Sequence, residues 1–399
     1  MNALNIGIFG RRNVGKSSII NTLAGQDVAI VSDSPGTTTD PVVKRMEISG
    51  IGPCVLIDTA GIDDSGTLGS KRVVRSLDVV ARIDMAVLVF AGNEFGEDEE
   101  RLLGEFRRYS LPVTLVHNKA DQGPVALELA GMLRDRYGLE PVEYSALACT
   151  DVFTSMRDRL IQILKEKART SEYQERPMFD GIVSAGQHVL LVCPIDSGAP
   201  TGRLILPQVN AIRNILDIGD VATVVQPSSI SGTAGDWSWY DLVVTDSQAF
   251  SEVAAAVPES VPLTSFSMLL ARSKGCFKEY CEGTPAIDNL KDGDRVLILE
   301  SCSHHSSCED IGRVKIPALM RRYTGRDLTF DVVGGLDRIA RPVSDYSLVL
   351  QCGGCMITRR QLMSRLLPAV EAGVPVTNYG MAISYMKGIY ERALRPLLK

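Results

Sequence analysis

The chain has 399 residues, 45% of them hydrophobic and 23% charged, with a formal charge of −6. That length is too great for one core and suits two or three domains, and the composition is ordinary for a folded chain. No Lys/Arg block resembles a nucleic-acid footprint, and no window holds about 18 uninterrupted apolar residues, so neither a nucleic-acid partner nor a membrane span is expected. The start, Met1 to Gly7, has no basic stretch followed by a long apolar one, so no signal peptide is expected and cytoplasm is the default location. Nine cysteines in such a compartment read as metal ligands or redox groups in preference to disulfides.

The first segment alternates β-branched runs with helical patterns. Strands are expected at Asn5–Phe9, Val55–Ile57, Met85–Phe90 and Val113–Val116. Helices are expected at Lys16–Leu23, Lys71–Arg82, Glu97–Tyr109, Val125–Tyr137 and Val152–Arg169. Such alternation predicts an α/β fold with a mostly parallel sheet and helices on both faces. The polar stretch Thr170 to Pro177 reads as a linker. Beyond it, strands at His188–Cys193, Val221–Val225 and Asp241–Val244 accompany a helix at Arg203–Leu216. A third segment, from about Leu263, alternates strands at Arg295–Leu299, Leu328–Val333, Ser347–Leu350 and Val374–Thr377 with helices at Ile311–Tyr323, Thr358–Glu371 and Met381–Leu394. The expected domains are therefore 1–170, 171–264 and 265–399, the last two being smaller α/β layers.

Gly10-Arg11-Arg12-Asn13-Val14-Gly15-Lys16-Ser17 matches G-x-x-x-x-G-K-S between a strand and a helix. In that setting backbone N–H groups turn inward around phosphates, and the helix N-terminus adds a favourable dipole. Gly10, Asn13, Val14, Gly15, Lys16, Ser17 and Ser18 are the expected phosphate-binding residues, with Lys16 on the β/γ oxygens and the Ser17 hydroxyl on Mg2+. Asp58-Thr59-Ala60-Gly61 follows an apolar strand, so that Asp58 would reach the magnesium shell and the Gly61 amide the γ-phosphate. Asn118-Lys119-Ala120-Asp121 follows a later strand, and the Asp121 carboxylate can pair with two guanine donors that adenine lacks. Ser145-Ala146-Leu147 matches the short loop that touches the guanine oxygen. Four elements in this order indicate a GTP site.

This segment resembles the TrmE/Era kind of P-loop GTPase domain. By that resemblance Thr38, within Pro35 to Asp40, is the magnesium-sensing threonine, with Thr37 and Thr39 competing. Lys16, Thr38, Asp58 and Gly61 then form the expected catalytic set. Ile62 stands where Ras-like proteins place a water-orienting glutamine, and a hydrophobic side chain cannot polarise water. Relatives with this change hold a monovalent cation with a P-loop asparagine, and Asn13 matches it, so K+-stimulated hydrolysis is expected.

The remaining chemistry lies in cysteines. Cys302-Ser303-His304 and Cys352-Gly353-Gly354-Cys355 each follow an expected strand, where α/β layers place ligand sites. Soft thiolates select iron–sulfur clusters or zinc, and a lone C-x-x-C serves equally as a redox pair. Three cysteines leave one coordination position unfilled; His304 is the first candidate for it, ahead of His305 and Cys308. Cys54 and Cys193 read as core residues, and Cys149 as packing. Cys276 and Cys281 have the spacing of a helix face. His117 is expected to pack or bond locally, His188 has no obvious partner, and Trp237 and Trp239 are expected to pack.

With both sites in hand, the chain is similar to the HydF family of FeFe-hydrogenase maturation GTPases over nearly its whole length. Those proteins join a GTPase domain, a dimerisation domain and a cluster domain with the motif C-x-H, a spacer, then H-C-x-x-C. Cys302, His304, Cys352 and Cys355 match it, whereas Gln351 stands at the second histidine position. Gly202 to Gln208 and Asn378 to Gly388 also look like the family. The resemblance implies a scaffold, a homodimer, that holds a 4Fe-4S cluster and a di-iron precursor. It implies radical-SAM maturases and apo FeFe-hydrogenase as partners, with GTP hydrolysis gating their exchange through the switch loops. Two other readings remain: an Era/TrmE-like RNA- or ribosome-associated GTPase with a structural metal, and a GTP-regulated enzyme using Cys352 and Cys355 as a dithiol.

Overall fold

Runs of Val, Ile and Leu bounded by glycine and polar residues become short parallel strands with helices packed over them. The structure, a computed structural model, describes residues 3–24, 42–62, 78–145, 150–169, 175–195, 202, 204–233, 236–301 and 310–398. The chain divides into two compact units, Met1–Gln174 and Glu175–Lys399.

The first unit holds one sheet. Its strands are β1 (Leu4–Phe9), β2 (Val42–Ile48), β3 (Gly52–Asp58), β4 (Met85–Ala91), β5 (Val113–Asn118) and β6 (Val142–Glu143), in the order β2-β3-β1-β4-β5-β6. All pairings are parallel except β2 with β3. Met85 to Phe90 are all buried, as expected for a strand covered on both faces. One buried cluster, with Ile19, Leu160 and Leu164, fills one face, and another, with Leu103, Phe106 and Leu133, fills the other. β2 is absent from the sequence expectation; it is an edge strand whose side chains are mostly exposed, so it carries little apolar pattern. The expected helix Lys71–Arg82 falls mainly outside the described residues, of which 78–80 are helical.

The second unit holds two four-stranded parallel sheets. One has the order β10-β9-β7-β8, from β7 (His188–Val192), β8 (Val221–Val225), β9 (Leu242–Thr245) and β10 (Leu263–Ser265). The other has the order β12-β11-β13-β14, from β11 (Arg295–Leu299), β12 (Thr329–Val333), β13 (Leu348–Gln351) and β14 (Val376–Asn378). Both sheets share one buried cluster: Leu190 and Val243 come from the first, Leu297 and Val349 from the second, and Leu269 from the helix Phe266–Lys274. That shared core makes the two layers one compact unit, and β10 carries the first of them through Ser265. The expected helix Met381–Leu394 is two helices, Tyr379–Met386 and Tyr390–Leu394, parted at Gly388, whose φ of +73° favours glycine. Likewise a π-turn at Ile311–Lys315 precedes the α-helix Ile316–Thr324. Among the described residues no helix is long and apolar enough to cross a membrane.

The helix Phe277–Gly283 lies against β14 so closely that a Cβ on Gly283 would meet the Val376 carbonyl oxygen at 2.2 Å. Backbone cannot step aside as a flexible side chain can. Gly283→Ala should therefore lower unfolding free energy by about 2 kcal/mol or more, read as a lower urea midpoint at unchanged slope.

Candidate nucleotide site and candidate cysteine site

The nucleotide site grows from the parallel register of β1 and β3, which sets Ile8 beside Asp58. β1 therefore runs into its glycine-rich loop next to the acidic end of β3. Gly10 has a φ of +144°, and a Cβ there would meet the Val89 carbonyl oxygen at 2.2 Å, so the turn admits only glycine. The Ser17 hydroxyl donates to Asp58 Oδ2 at 2.6 Å, while Asp58 Oδ1 is buried without a hydrogen-bond partner among the described residues. A hydroxyl, a carboxylate and an unmatched oxygen make a hard oxygen donor set of the kind Mg2+ takes. The Lys16 ammonium, nearly buried, donates to the carbonyls of Gly10 and Arg11 at 2.9 and 2.7 Å. Asn13 has a φ of +59°, on the same loop.

The base-recognition motif at the end of β5 is tied to this loop. Asn118 Nδ2 donates to the Val14 carbonyl at 2.7 Å, and a Cβ on Gly15 would strike that Nδ2 at 2.2 Å. Lys119 has a φ of +61°, and in the turn it opens the Asp121 carboxylate accepts from the Ser145 hydroxyl. Ile62 is buried in the core, its amide bonded to the Gly10 carbonyl at 3.4 Å, so its side chain has no access to a water nucleophile. Thr38 and Ala146 lie outside the described residues, as do Thr37 and Thr39.

An ion pair that the sequence reading missed braces the same loop. Glu99, fully buried on the helix Glu97–Arg108, accepts from Arg11 Nε at 2.7 Å and Nη2 at 3.0 Å and from the Gly96 amide at 2.9 Å. Its sequence context, an acidic first turn, reads only as helix-dipole compensation.

In the second unit, parallel pairing of β11 with β13 sets Leu299 beside Gln351. Just beyond those ends the Ser301 amide donates to Cys352 Sγ at 3.1 Å, and the Ser301 hydroxyl lies 2.9 Å from the same sulfur. Cys302 and His304 lie outside the described residues, and so do His305, Cys308 and Cys149. Among the described residues no three His, Cys, Asp or Glu side chains are grouped to hold a metal ion. Cys355 follows on the same turn, where Gly354 takes a φ of +69°. Burial raises the Cys352 thiol pKa, and the Ser301 hydroxyl opposes that shift.

A buried lysine bonds to this turn, and a buried arginine bonds to the ends of the neighbouring strands. Lys274, 1% exposed, donates to the carbonyls of Gly354 and Ile357 at 3.2 and 3.1 Å and pairs with Glu175 at 2.9 Å. Arg365 donates to the carbonyls of Glu300 and Val333 at 2.6 and 2.9 Å. Burial lowers the Arg365 pKa, and Cys352 is first among the neighbours that raise it.

Other expectations resolve plainly. Cys54 and Cys193 are core residues whose thiols burial pushes up to about 11 and about 12. Cys276 precedes the helix Phe277–Gly283, with its sulfur 3.5 Å from Met363 Sδ, so only Cys281 is within that helix. His117 bonds locally, its Nδ1 2.7 Å from Glu143. His188 does have a partner, the Thr223 hydroxyl at 2.8 Å, and it also packs on Tyr240. Trp237 packs on the core, but Trp239 is 67% exposed, because it ends a one-turn helix at the surface.

The arrangement can be set beside known proteins. Residues 178–275 match the hydrogen maturase F dimerization domain, and residues 278–396 match the hydrogen maturase F tetramerization domain. The chain belongs to the hydrogen maturase F family. Residues 5–119 match the 50S ribosome-binding GTPase family, which completes the domain set of a hydrogenase-maturation GTPase and implies GTP and Mg2+ as its ligands. The tRNA modification GTPase MnmE of Nitrosomonas europaea is 40% identical over 115 residues, which are 29% of this chain and 25% of that protein. GTPase Der of Campylobacter concisus is 37% identical over 115 residues, with the same two shares. The chain thus spans about a quarter of the length of these relatives. Era of Aquifex aeolicus bound to GDP.AlF4- is 28% identical, covering 42% of this chain and 57% of that one, with a TM-score of 0.35.

The Asn118–Val14 bond is buried and joins the base-recognition motif to the phosphate loop. Asn118→Ala should weaken GTP binding by about 1–3 kcal/mol, roughly 5- to 150-fold, in a calorimetric titration.

Proposed function

We propose that the protein is a GTP-hydrolysing scaffold that holds a 4Fe-4S cluster and carries the di-iron precursor of the FeFe-hydrogenase site. The observation that supports this most directly is the contact of Ser301, the residue before Cys302, with the sulfur of Cys352. It brings the residue that precedes the C-x-H segment to the C-x-x-C turn, which is what a shared metal would require. Cys302, Cys352 and Cys355 would bind three irons of the cluster, and His304 is the candidate for the fourth position. When bound, the cluster supplies an iron with an exchangeable ligand. The chain itself supplies thiolates on a turn fixed by Lys274 and a buried Arg365 beside them.

In the GTPase domain Ser17 and Asp58 would hold Mg2+, which offsets negative charge on the β and γ phosphates. Lys16 adds a second positive charge there, and Asp121 selects guanine. With Ile62 buried, water activation falls to other groups, and Asn13 is the residue we assign to a K+ site. Hydrolysis would gate exchange between radical-SAM maturases and apo-hydrogenase in an anaerobic cytoplasm. Self-association, to a homodimer, suits β8, an edge strand that exposes Val221 and Val224 within the matched dimerization domain.

Anaerobic reconstitution with iron and sulfide, followed by iron analysis and EPR, tests the cluster. Wild type should bind about four irons and give a reduced-cluster signal, and Cys352→Ala should lose most of both; iron-free wild type would refute the scaffold. Separately, GTP turnover should be faster in K+ than in Na+ at matched ionic strength, and Asn13→Ala should abolish the difference. Equal rates in wild type would remove the cation from the mechanism.

A further inference from the structure

Gln351 stands where a second histidine was expected, at the end of β13, and it is fully buried. Its Nε2 lies 3.1 Å from Ser301 Oγ, 3.2 Å from the Cys352 carbonyl oxygen and 3.5 Å from Cys352 Sγ. A carbonyl oxygen only accepts, so the amide nitrogen must face this side; the reverse orientation would set two acceptors against each other. The orientation has a second consequence. Because Gln351 donates to Ser301 Oγ, that oxygen's own proton is free to point at Cys352 Sγ, 2.9 Å away. The Ser301 amide donates to the same sulfur, and the Gly354 amide faces it too.

A neutral thiol is a weak acceptor, and several donors converging on one sulfur suit a thiolate or a metal-bound thiolate. On the opposite side of the Gln351 amide, Oε1 is buried and has no hydrogen-bond partner among the described residues. The Gln351 backbone is fixed as well, its carbonyl accepting from Asn378 Nδ2 at 3.4 Å.

We propose that Gln351 is a positioning residue for the cluster: instead of ligating iron as a histidine there could, it commits its two N–H groups to Ser301 Oγ and the Cys352 carbonyl, and so aims the Ser301 hydroxyl at the Cys352 sulfur. This rests on the cluster reading above. Hydrogen bonds to a ligating sulfur favour the more negative, reduced cluster and so raise its reduction potential. The same commitment of the amide keeps residue 351 off the iron and leaves the fourth position open to an exchangeable ligand.

The test uses the full-length protein, reconstituted anaerobically, with EPR-monitored redox titration of wild type, Gln351→Leu, Gln351→His and Ser301→Ala. Gln351→Leu keeps the volume and removes the donor; it should bind iron as wild type does, with an unchanged line shape and a lower midpoint potential. Ser301→Ala should shift the potential in the same direction, and this second, smaller replacement guards against a folding defect at the buried site. In pulsed EPR with selectively 15N-labelled side chains, strong coupling to a residue-351 nitrogen should be seen in Gln351→His and be absent from wild type, whatever His304 contributes. An unchanged midpoint in both donor-deleting variants, or strong coupling to a residue-351 nitrogen in wild type, would overturn the proposal. Wild type without iron would instead overturn the cluster reading itself.

Discussion

Both sites depend on parallel strand register. A parallel pair sends adjacent chains off the sheet at the same edge, so residues distant in sequence emerge side by side. Ile8 beside Asp58 brings the phosphate loop to the carboxylate that receives the Ser17 hydroxyl. Leu299 beside Gln351 brings Ser301 to Cys352. Val296, Leu297, Ile298 and Leu299 are all buried, as are Leu348, Val349 and Leu350, so these strands are covered on both faces and a uniform apolar run does not by itself select one alignment. The register is fixed together with the turns and polar contacts at the strand ends, such as those of Ser301 and Gln351 with Cys352.

The polar groups under the cysteine turn show what fixing such a site involves. Lys274 and Arg365 each spend their donors on backbone carbonyls: Gly354 and Ile357 for the lysine, Glu300 and Val333 for the arginine. The Gly354 carbonyl also accepts from the Ile357 amide and the Val333 carbonyl from the Glu300 amide, so the cations add second donors there while placing positive charge near Cys352. Desolvating a cation is costly, and these hydrogen bonds offset that cost. The site is therefore polar beneath and apolar around, a rigid base for a turn that carries two sulfurs.

Much of this was legible in the sequence, for a physical reason in each case. The phosphate loop, Asp58, the Asn118–Asp121 motif and Ser145 act through local backbone geometry and contiguous residues, so spacing alone locates them. Central strands such as β4 and β11 carry long apolar runs because they are covered on both faces. Edge strands carry no such run: β2 exposes most of its side chains, and β10 has three residues. Helix ends set by one backbone angle, as at Gly388, are equally faint. The Arg11–Glu99 pair and the Lys274 contacts lie 88 and 80 residues apart in sequence, and nothing local distinguishes those side chains from solvated charges.

Gln351 marks the boundary between these two kinds of information. As a letter in the sequence it is only the absence of a histidine beside a C-x-x-C motif. Its meaning comes from acceptors supplied by another strand's continuation and by the next residue, and from the pleat, which turns its side chain into the interior while Cys352 begins a half-buried turn. An amide and an imidazole both can donate a hydrogen, but a neutral imidazole also offers a soft nitrogen to a metal, whereas an amide offers a weak, hard oxygen. Exchanging one for the other at a strand end converts a potential ligand into a fixed donor without altering the fold. The change is small in volume and large in chemistry, which is why the packing can tolerate it while it sets how open the proposed metal site would be.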